Sequence, residues 1–153
     1  MGVRDFRGYG VANVNPNSTA YTSGDLIGGK LTLAGVAPYS GAGILIQKVA
    51  LSDLAKQDAA VDVVFFNANP DGTTFTDNSA LDVADADLPK VAGFLSIAAG
   101  DYCDFNDNSI ANKSDTPVEV KLNGTSVLYA VVVARDTPTY ASASDLQLMV
   151  ETL

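Results

Sequence analysis

The sequence contains no histidine, no tryptophan and a single cysteine among its 153 residues. Without histidine, the chain cannot build a Ser-His-Asp or Cys-His nucleophile system or a histidine metal ligand. One cysteine, Cys103, excludes an intrachain disulfide framework and the paired spacing of a zinc site. The acidic neighbours Asp101 and Asp104 disfavour the thiolate that a nucleophile needs. We therefore expect no catalytic residues and no enzyme activity.

Basic residues are also scarce, since nine Lys and Arg stand against eighteen acidic residues and give a net charge of −9. Sequence-independent binding of nucleic acid requires clustered basic side chains facing phosphates, so we expect no nucleic-acid partner. No apolar run approaches the length of about 18 residues that a membrane span needs, and we expect no membrane partner. The N-terminus lacks a signal-peptide core, so we expect synthesis in a cytosol without a cleaved leader.

Glutamate is nearly absent, with two residues against sixteen aspartates, alongside 13 glycines and 6 prolines. Aspartate favours caps and turns, where its carboxylate accepts hydrogen bonds from nearby backbone N–H groups. This composition predicts strands joined by turns. The cluster Asp77, Asp82, Asp85 and Asp87 is interpreted in the same way, as capping and turn chemistry.

Short apolar runs rich in β-branched residues and phenylalanine predict seven or eight strands, all after Asp25. They are Leu26 with 31–33, Ile44–Leu51, Val61–Phe66, Val91–Ile97, Val118–Leu122, Val127–Ala134 and Leu146–Val150. Their regular spacing predicts an all-β, antiparallel β-sandwich of jelly-roll kind. Val127–Ala134 is apolar on both faces, which indicates the centre of a sheet. Helix is limited to a segment over 52–60 and one turn from an Asp85 cap to Lys90.

Residues 1–22 differ from the sandwich domain predicted over 23–153. They show neither helical nor strand periodicity, and two of the three arginines lie here among aromatic, Gly, Asn and Pro residues. Such a segment is either a frayed terminus or an extended N-terminal arm that docks on a neighbour. On the second interpretation the contact residues are Arg4, Phe6, Arg7 and Tyr9.

One polar loop echoes the spacing of a calcium-binding loop, with Asp104, Asn106, Asn108 and Asp115 as oxygen ligands. Ser109 stands where the tight turn of such a loop requires glycine, and the last position lacks the bidentate glutamate. No flanking helices are predicted either. We therefore expect a solvated loop, no metal ligands and no cofactor.

The order of elements around Val61–Ala98 carries a family resemblance. An apolar strand is followed by a turn at 67–72, a polar loop to Asn78, a helical turn at 84–90 and a second strand, with 126–139 and 144–150 behind them. This order resembles the head decoration (cement) proteins of tailed bacteriophages, over about residues 21–153.

The resemblance implies a structural virion protein, made in the bacterial host cytoplasm, that lies on the outer surface of the capsid. It would stabilise the shell by bridging subunits of the major capsid protein, as a homotrimer at three-fold positions. Within this interpretation we expect Arg4, Phe6, Arg7 and Tyr9 to contact the capsid or a neighbouring copy. Two alternatives stay open. A carbohydrate- or receptor-binding β-module of a tail or fibre should show an exposed aromatic cluster in one loop set. A hydrolase should show a pair of carboxylates in a cleft.

Overall fold

The computed structural model describes residues 6–115 and 117–153. Within them, ten strands dominate: β1 Gly8–Asn13, β2 Leu26–Leu33, β3 Gly43–Asp53, β4 Val61–Phe66, β5 Val91–Ile97, β6 Tyr102–Asp104, β7 Ser109–Lys113, β8 Val118–Lys121, β9 Leu128–Ala134 and β10 Leu146–Thr152. Two single-turn 3-10 helices cover Leu88–Lys90 and Ala99–Asp101. The predicted all-β class with very little helix is confirmed.

Two antiparallel sheets pack face to face. Sheet I has the order β1-β10-β3-β7-β6, with β8 pairing to the first part of β3, and sheet II has the order β2-β9-β4-β5. The pairs β1–β10, β2–β9, β3–β8 and β4–β5 are those of one long hairpin rolled over on itself. This is the strand arrangement of a jelly roll, as the sequence predicted.

Strand β9 lies between β2 and β4 in sheet II and is apolar on both faces, as predicted. Ala130 and Val132 face the core between the two sheets, whereas Val131 and Val133 face outward. The outward residues are buried because the long β4–β5 connection folds over them, contributing Phe75 and other apolar side chains. The polar loop recognised in the sequence therefore covers the outer face of sheet II.

The N-terminal segment corrects the prediction that strands begin only after Asp25. Residues 8–13 form β1, which pairs with β10 along its whole length. The apolar periodicity is missing because glycines occupy inward positions of this strand. A Cβ on Gly10 would lie 2.8 Å from Val36 Cγ1, so the tight approach of β1 to the core requires glycine there.

Residues 14–21 also belong to the sandwich, since Val14 and Tyr21 are fully buried. Tyr21 Oη donates to Asp77 Oδ1 at 2.7 Å, and the Asn17 backbone N–H donates to Tyr21 Oη at 2.8 Å. The pKa of Tyr21 is raised, mainly because the side chain is buried and also because its hydroxyl group donates to the Asp77 carboxylate. Of residues 1–22, the described part beyond Arg7 is therefore built into the domain and is not an extended arm.

The helix predicted over 52–60 is wrong, because β3 continues to Asp53 and a turn follows. The buried Asp53 carboxylate accepts hydrogen bonds from the backbone N–H groups of Ala55 at 2.9 Å, Gln57 at 2.8 Å and Asp58 at 3.1 Å. These bonds hold a loop in which Lys56 and Asp58 adopt positive φ angles of 51° and 49°. The carboxylate therefore favours this tight turn over a helix.

The segment with calcium-loop spacing is a hairpin. Asp104 pairs with Ser109 across β6 and β7, and the Phe105 N–H donates to the Asn108 carbonyl in the turn between them. Strand β7 contains residues that would have to belong to the loop in a twelve-residue calcium-binding site.

The helical turn that the sequence predicted before β5 is present, but it begins after Asp87 and not after Asp85.

Candidate functional site

The four residues predicted as contacts have different placements. Arg4 lies outside the described residues, and Phe6 is half-buried. Arg7 is exposed just before β1, and Tyr9 on β1 is 53% exposed. Because β1 belongs to sheet I, Tyr9 lies on a broad, ordered sheet face.

That surface, the outer face of sheet I, is formed by alternate residues of neighbouring strands. Three cross-strand rows define it: Tyr9 with Glu151 and Lys48, Val11 with Met149 and Ala50, and Asn13 with Gln147 and Ser52. The inward residues between them on β10, such as Leu148 and Val150, are fully buried. The same alternation that fills the core therefore fixes the composition of this face.

The outer face of sheet I is close to neutral on a strongly acidic molecule. Its three rows contain one charge of each sign, and the two partners lie together, with Lys48 Nζ 3.6 Å from Glu151 Oε1. Both side chains are about 40% exposed (38% and 40%), so this pair adds little stability. Glu119 and Lys121 on β8 add a further charge of each sign. The excess negative charge therefore lies on other parts of the molecule.

Apolar groups are exposed on this face. Val11 and Leu153 are each 41% exposed. Val11 lies opposite the half-buried Met149, and Leu153 pairs with Leu45 of β3. A hollow of about 320 Å³ beside Tyr9 is lined also by Arg7 and residues of β3 and β10. Exposed Tyr and Arg side chains beside a half-buried Met, on a face with almost no net charge, match the composition of protein interfaces.

The sequence suggested Tyr9 and Arg7 as contact residues of an extended arm, from their residue types, and it did not indicate Val11, Met149 or Leu153. The link between residue 11 and residue 149 requires knowledge of the strand pairing, which no local pattern contains.

A cluster of opposite charges fixes the long β4–β5 connection. Lys90 Nζ lies 2.8 Å from both Asp71 Oδ1 and Asp87 Oδ1, and Thr73 Oγ1 donates to Asp87 Oδ2 at 2.7 Å. The hydrogen bonds from Lys90 hold the pKa of both aspartates below their usual range. This cluster holds the loop in place. Of the four aspartates interpreted as capping and turn residues, Asp87 makes no side-chain cap hydrogen bond, and Asp77 accepts hydrogen bonds from the distant Tyr21 Oη and Gly28 N–H instead.

A pair of carboxyl groups meets where the β3–β4 and β6–β7 turns approach each other. A hydrogen bond with the Asp58 carboxyl group, followed by desolvation, raises the pKa of Asp104. Asp58 Oδ1 is buried and has no hydrogen-bond partner among the described residues. In the described ranges, 6–115 and 117–153, no group of three or more Cys, Asp or Glu side chains is arranged to hold a metal ion.

The exposed aromatic side chains of the described residues do not share one loop set. Tyr9 lies on β1, Tyr39 in the β2–β3 connection, Phe94 on β5 and Phe105 in the β6–β7 turn. Tyr39 lies before the first residue of β3. Phe105 lies near the other end of that strand, where its carbonyl oxygen accepts a hydrogen bond from Lys56 Nζ. The exposed aromatic groups are therefore distributed over separate elements.

No protein-family model matches the chain, and no curated protein matches its sequence. Among the described residues, no helix has the length and apolar character needed to cross a membrane.

Proposed function

We propose that this protein is a structural virion protein that binds the outer surface of a phage capsid and stabilises it by bridging major capsid protein subunits. The observation that carries the proposal is the near-neutral outer face of sheet I, with Tyr9 and Val11 exposed on a molecule of net charge −9. A face of this composition can be desolvated against a partner at low electrostatic cost. The jelly-roll sandwich and the resemblance to head decoration proteins support the same function.

The mechanism follows from burial and symmetry. A protein that contacts two neighbouring capsid subunits adds buried area to a junction that packaged DNA would otherwise pull apart. Because it binds the assembled shell and not free subunits, it shifts the equilibrium toward the assembled state. Capsid symmetry repeats each bridge, and three copies around a three-fold position are the arrangement that we expect.

The outer face of sheet I is suited to this task because it is a rigid platform. Strand β10 lies between β1 and β3, and β3 is paired on its other side by β7 and β8. Side chains on paired strands lose little further conformational freedom on binding, which favours affinity. Arg7, at the rim, would meet acidic or carbonyl groups of the capsid protein.

The test is co-sedimentation of the purified protein with undecorated capsids at low and moderate salt. Tyr9→Asp places a charge on the proposed face and should weaken binding at least tenfold. The matched control is Phe94→Asp, which changes an exposed aromatic residue on sheet II (67% exposed, against 53% for Tyr9) and should bind like the wild type.

Three results would contradict the proposal. Equal binding by wild type and Tyr9→Asp would remove the contact from sheet I. Weaker binding by Phe94→Asp alone would move it to sheet II. Failure of the wild type to bind any shell, together with binding to glycans or cell-surface receptors, would favour the carbohydrate- or receptor-binding alternative.

A further inference from the structure

Strand β1 forms one edge of sheet I, so only one side of its backbone pairs with β10. The Val14 N–H donates to the Leu146 carbonyl at 3.0 Å, continuing the register in which Gly8 lies opposite Thr152. Backbone groups of successive strand residues point to opposite sides. The N–H and C=O groups of Tyr9, Val11 and Asn13 therefore point away from β10.

This outward side is only partly covered by the described residues. The Tyr9 N–H donates to the Gly35 carbonyl at 3.1 Å. Within residues 6–115 and 117–153, the outward backbone groups of Val11 and Asn13 have no such backbone partner. An uncovered edge of this kind is a template for another strand.

The other sheet edges are protected. Residues 78–81 pair along the start of β2, where the Leu26 N–H donates to the Ser79 carbonyl at 2.9 Å. Strand β5 approaches β8, so that a Cβ on Gly93 would lie 2.7 Å from Val118 Cγ1. Strand β6 has three residues and ends in Asp104. Strand β1 contains no charged residue, and thus lacks the charge that usually prevents edge pairing.

We propose that two copies of this chain pair antiparallel through β1 across a two-fold axis, with Ala12 of one copy opposite Ala12 of the other. In this register Val11 of each copy faces Asn13 of its partner, and the two residues exchange both N–H···O=C hydrogen bonds. A register centred on Val11 is excluded because it would bring Asn13 of the second copy onto Tyr9, where Gly35 already lies.

A second copy suits this edge because an isologous contact needs a surface that complements itself. Val11 and Asn13 supply an equal set of donors and acceptors on each side. Two molecules of charge −9 repel each other, and β1 brings no charged side chain into the contact. Beyond the strand, Asn15 adopts a left-handed φ of 62°, which ends the extended backbone that could pair with the second copy.

The pairing would join two sheets I into one continuous sheet, with their outer faces side by side. It does not depend on shell binding, and it can be measured without any capsid. It is also distinct from the three-fold arrangement expected on the shell, since a two-fold contact cannot generate a trimer.

The first test is register-specific cross-linking in a Cys103→Ser background. Residues opposite each other in a non-hydrogen-bonded pair have Cα atoms about 4.5 Å apart, within disulfide range. Ala12→Cys should therefore form a covalent dimer on mild oxidation, seen on a non-reducing gel. Tyr9→Cys on the same strand, which does not face itself in this register, should remain monomeric. Circular dichroism checks that both variants are folded.

The second test is sedimentation velocity over a range of concentrations. Val11→Pro removes only an N–H that points away from β10, so the fold should persist while dimerisation weakens at least tenfold. A wild type that stays monomeric at millimolar concentration would overturn the proposal. Self-association that Val11→Pro leaves unchanged would overturn it as well. A dimer that forms only after removal of residues 1–5 would also overturn it, because the N-terminus would then occupy the edge.

Discussion

The side chain of Asp53 stabilises the turn between β3 and β4. Its carboxylate is fully buried and caps three backbone N–H groups of the β3–β4 turn. Desolvation raises its pKa, and those N–H groups oppose the shift. When a buried N–H group loses its acceptor, the loss in folding free energy is larger than the free energy that a typical hydrogen bond contributes.

We expect Asp53→Ala to lower the free energy of unfolding by about 2 kcal/mol, with Asp53→Asn in between because its amide retains one acceptor oxygen. Urea denaturation measures both variants. A loss below about 0.5 kcal/mol for Asp53→Ala would mean that water replaces the carboxylate without penalty.

The Asp58–Asp104 pair predicts a pH dependence. The pKa of Asp104 is raised in the folded state, because the protonated form shares a hydrogen bond with Asp58. A raised folded pKa stabilises the protein below the unfolded pKa, and this contribution is lost as the pH rises through the folded value. At pH 7 the two carboxylates therefore repel each other.

Asp104→Asn should consequently raise the melting temperature at pH 7 and give no gain near pH 3.5. Asp107→Asn, in the same turn, is the control and should leave the pH profile of stability unchanged. An equal effect of Asp104→Asn at both pH values would show that the pair does not share a proton.

At the scale of elements, the sequence defined strands best where their own residues determine them. Val61–Phe66 and Val91–Ile97 were predicted with the observed bounds, since β-branched and aromatic residues dominate the first and a β-branched residue stands at each end of the second. Strands β6 and β7 were missed because their segment is rich in Asn and Asp, and pairing with β3 holds it. The candidate face was predicted only through Tyr9 and Arg7, because its other members come from strands distant in sequence.

Truncation tests the corrected view of the N-terminus. Removing residues 1–7 should leave the sandwich folded, since β1 begins at Gly8. Removing residues 1–22 should unfold it or lower its melting temperature by more than 10 °C, because β1 and the buried Val14 and Tyr21 are lost. Circular dichroism melts compare the two, and equal melting temperatures would contradict the role of β1.

Hydrogen exchange tests the centre of sheet II. Strand β9 is paired on both sides and buried on both faces, so its amides should exchange only through global unfolding. The amides of the β6–β7 turn should exchange much faster. Protection in β9 no greater than in that turn would mean that the order of strands in sheet II is wrong.

At the scale of the whole molecule, charge and fold act together. The core between the sheets and the loop over sheet II bury apolar residues on three of the four sheet faces, and the outer face of sheet I is left near-neutral and exposed. Aspartates in the turns place the negative charge at the ends of the sandwich and in the long loop. Repulsion between copies therefore acts mainly through these acidic parts, and the near-neutral face is left suited to binding a shell.

The most direct test of the proposed function is the thermal stability of DNA-filled, undecorated capsids with and without the added protein, followed by the temperature of DNA release. Saturating wild-type protein should raise that temperature by several degrees, and Tyr9→Asp at the same concentration should not. An unchanged release temperature on shells that demonstrably carry bound wild-type protein would contradict stabilisation by bridging.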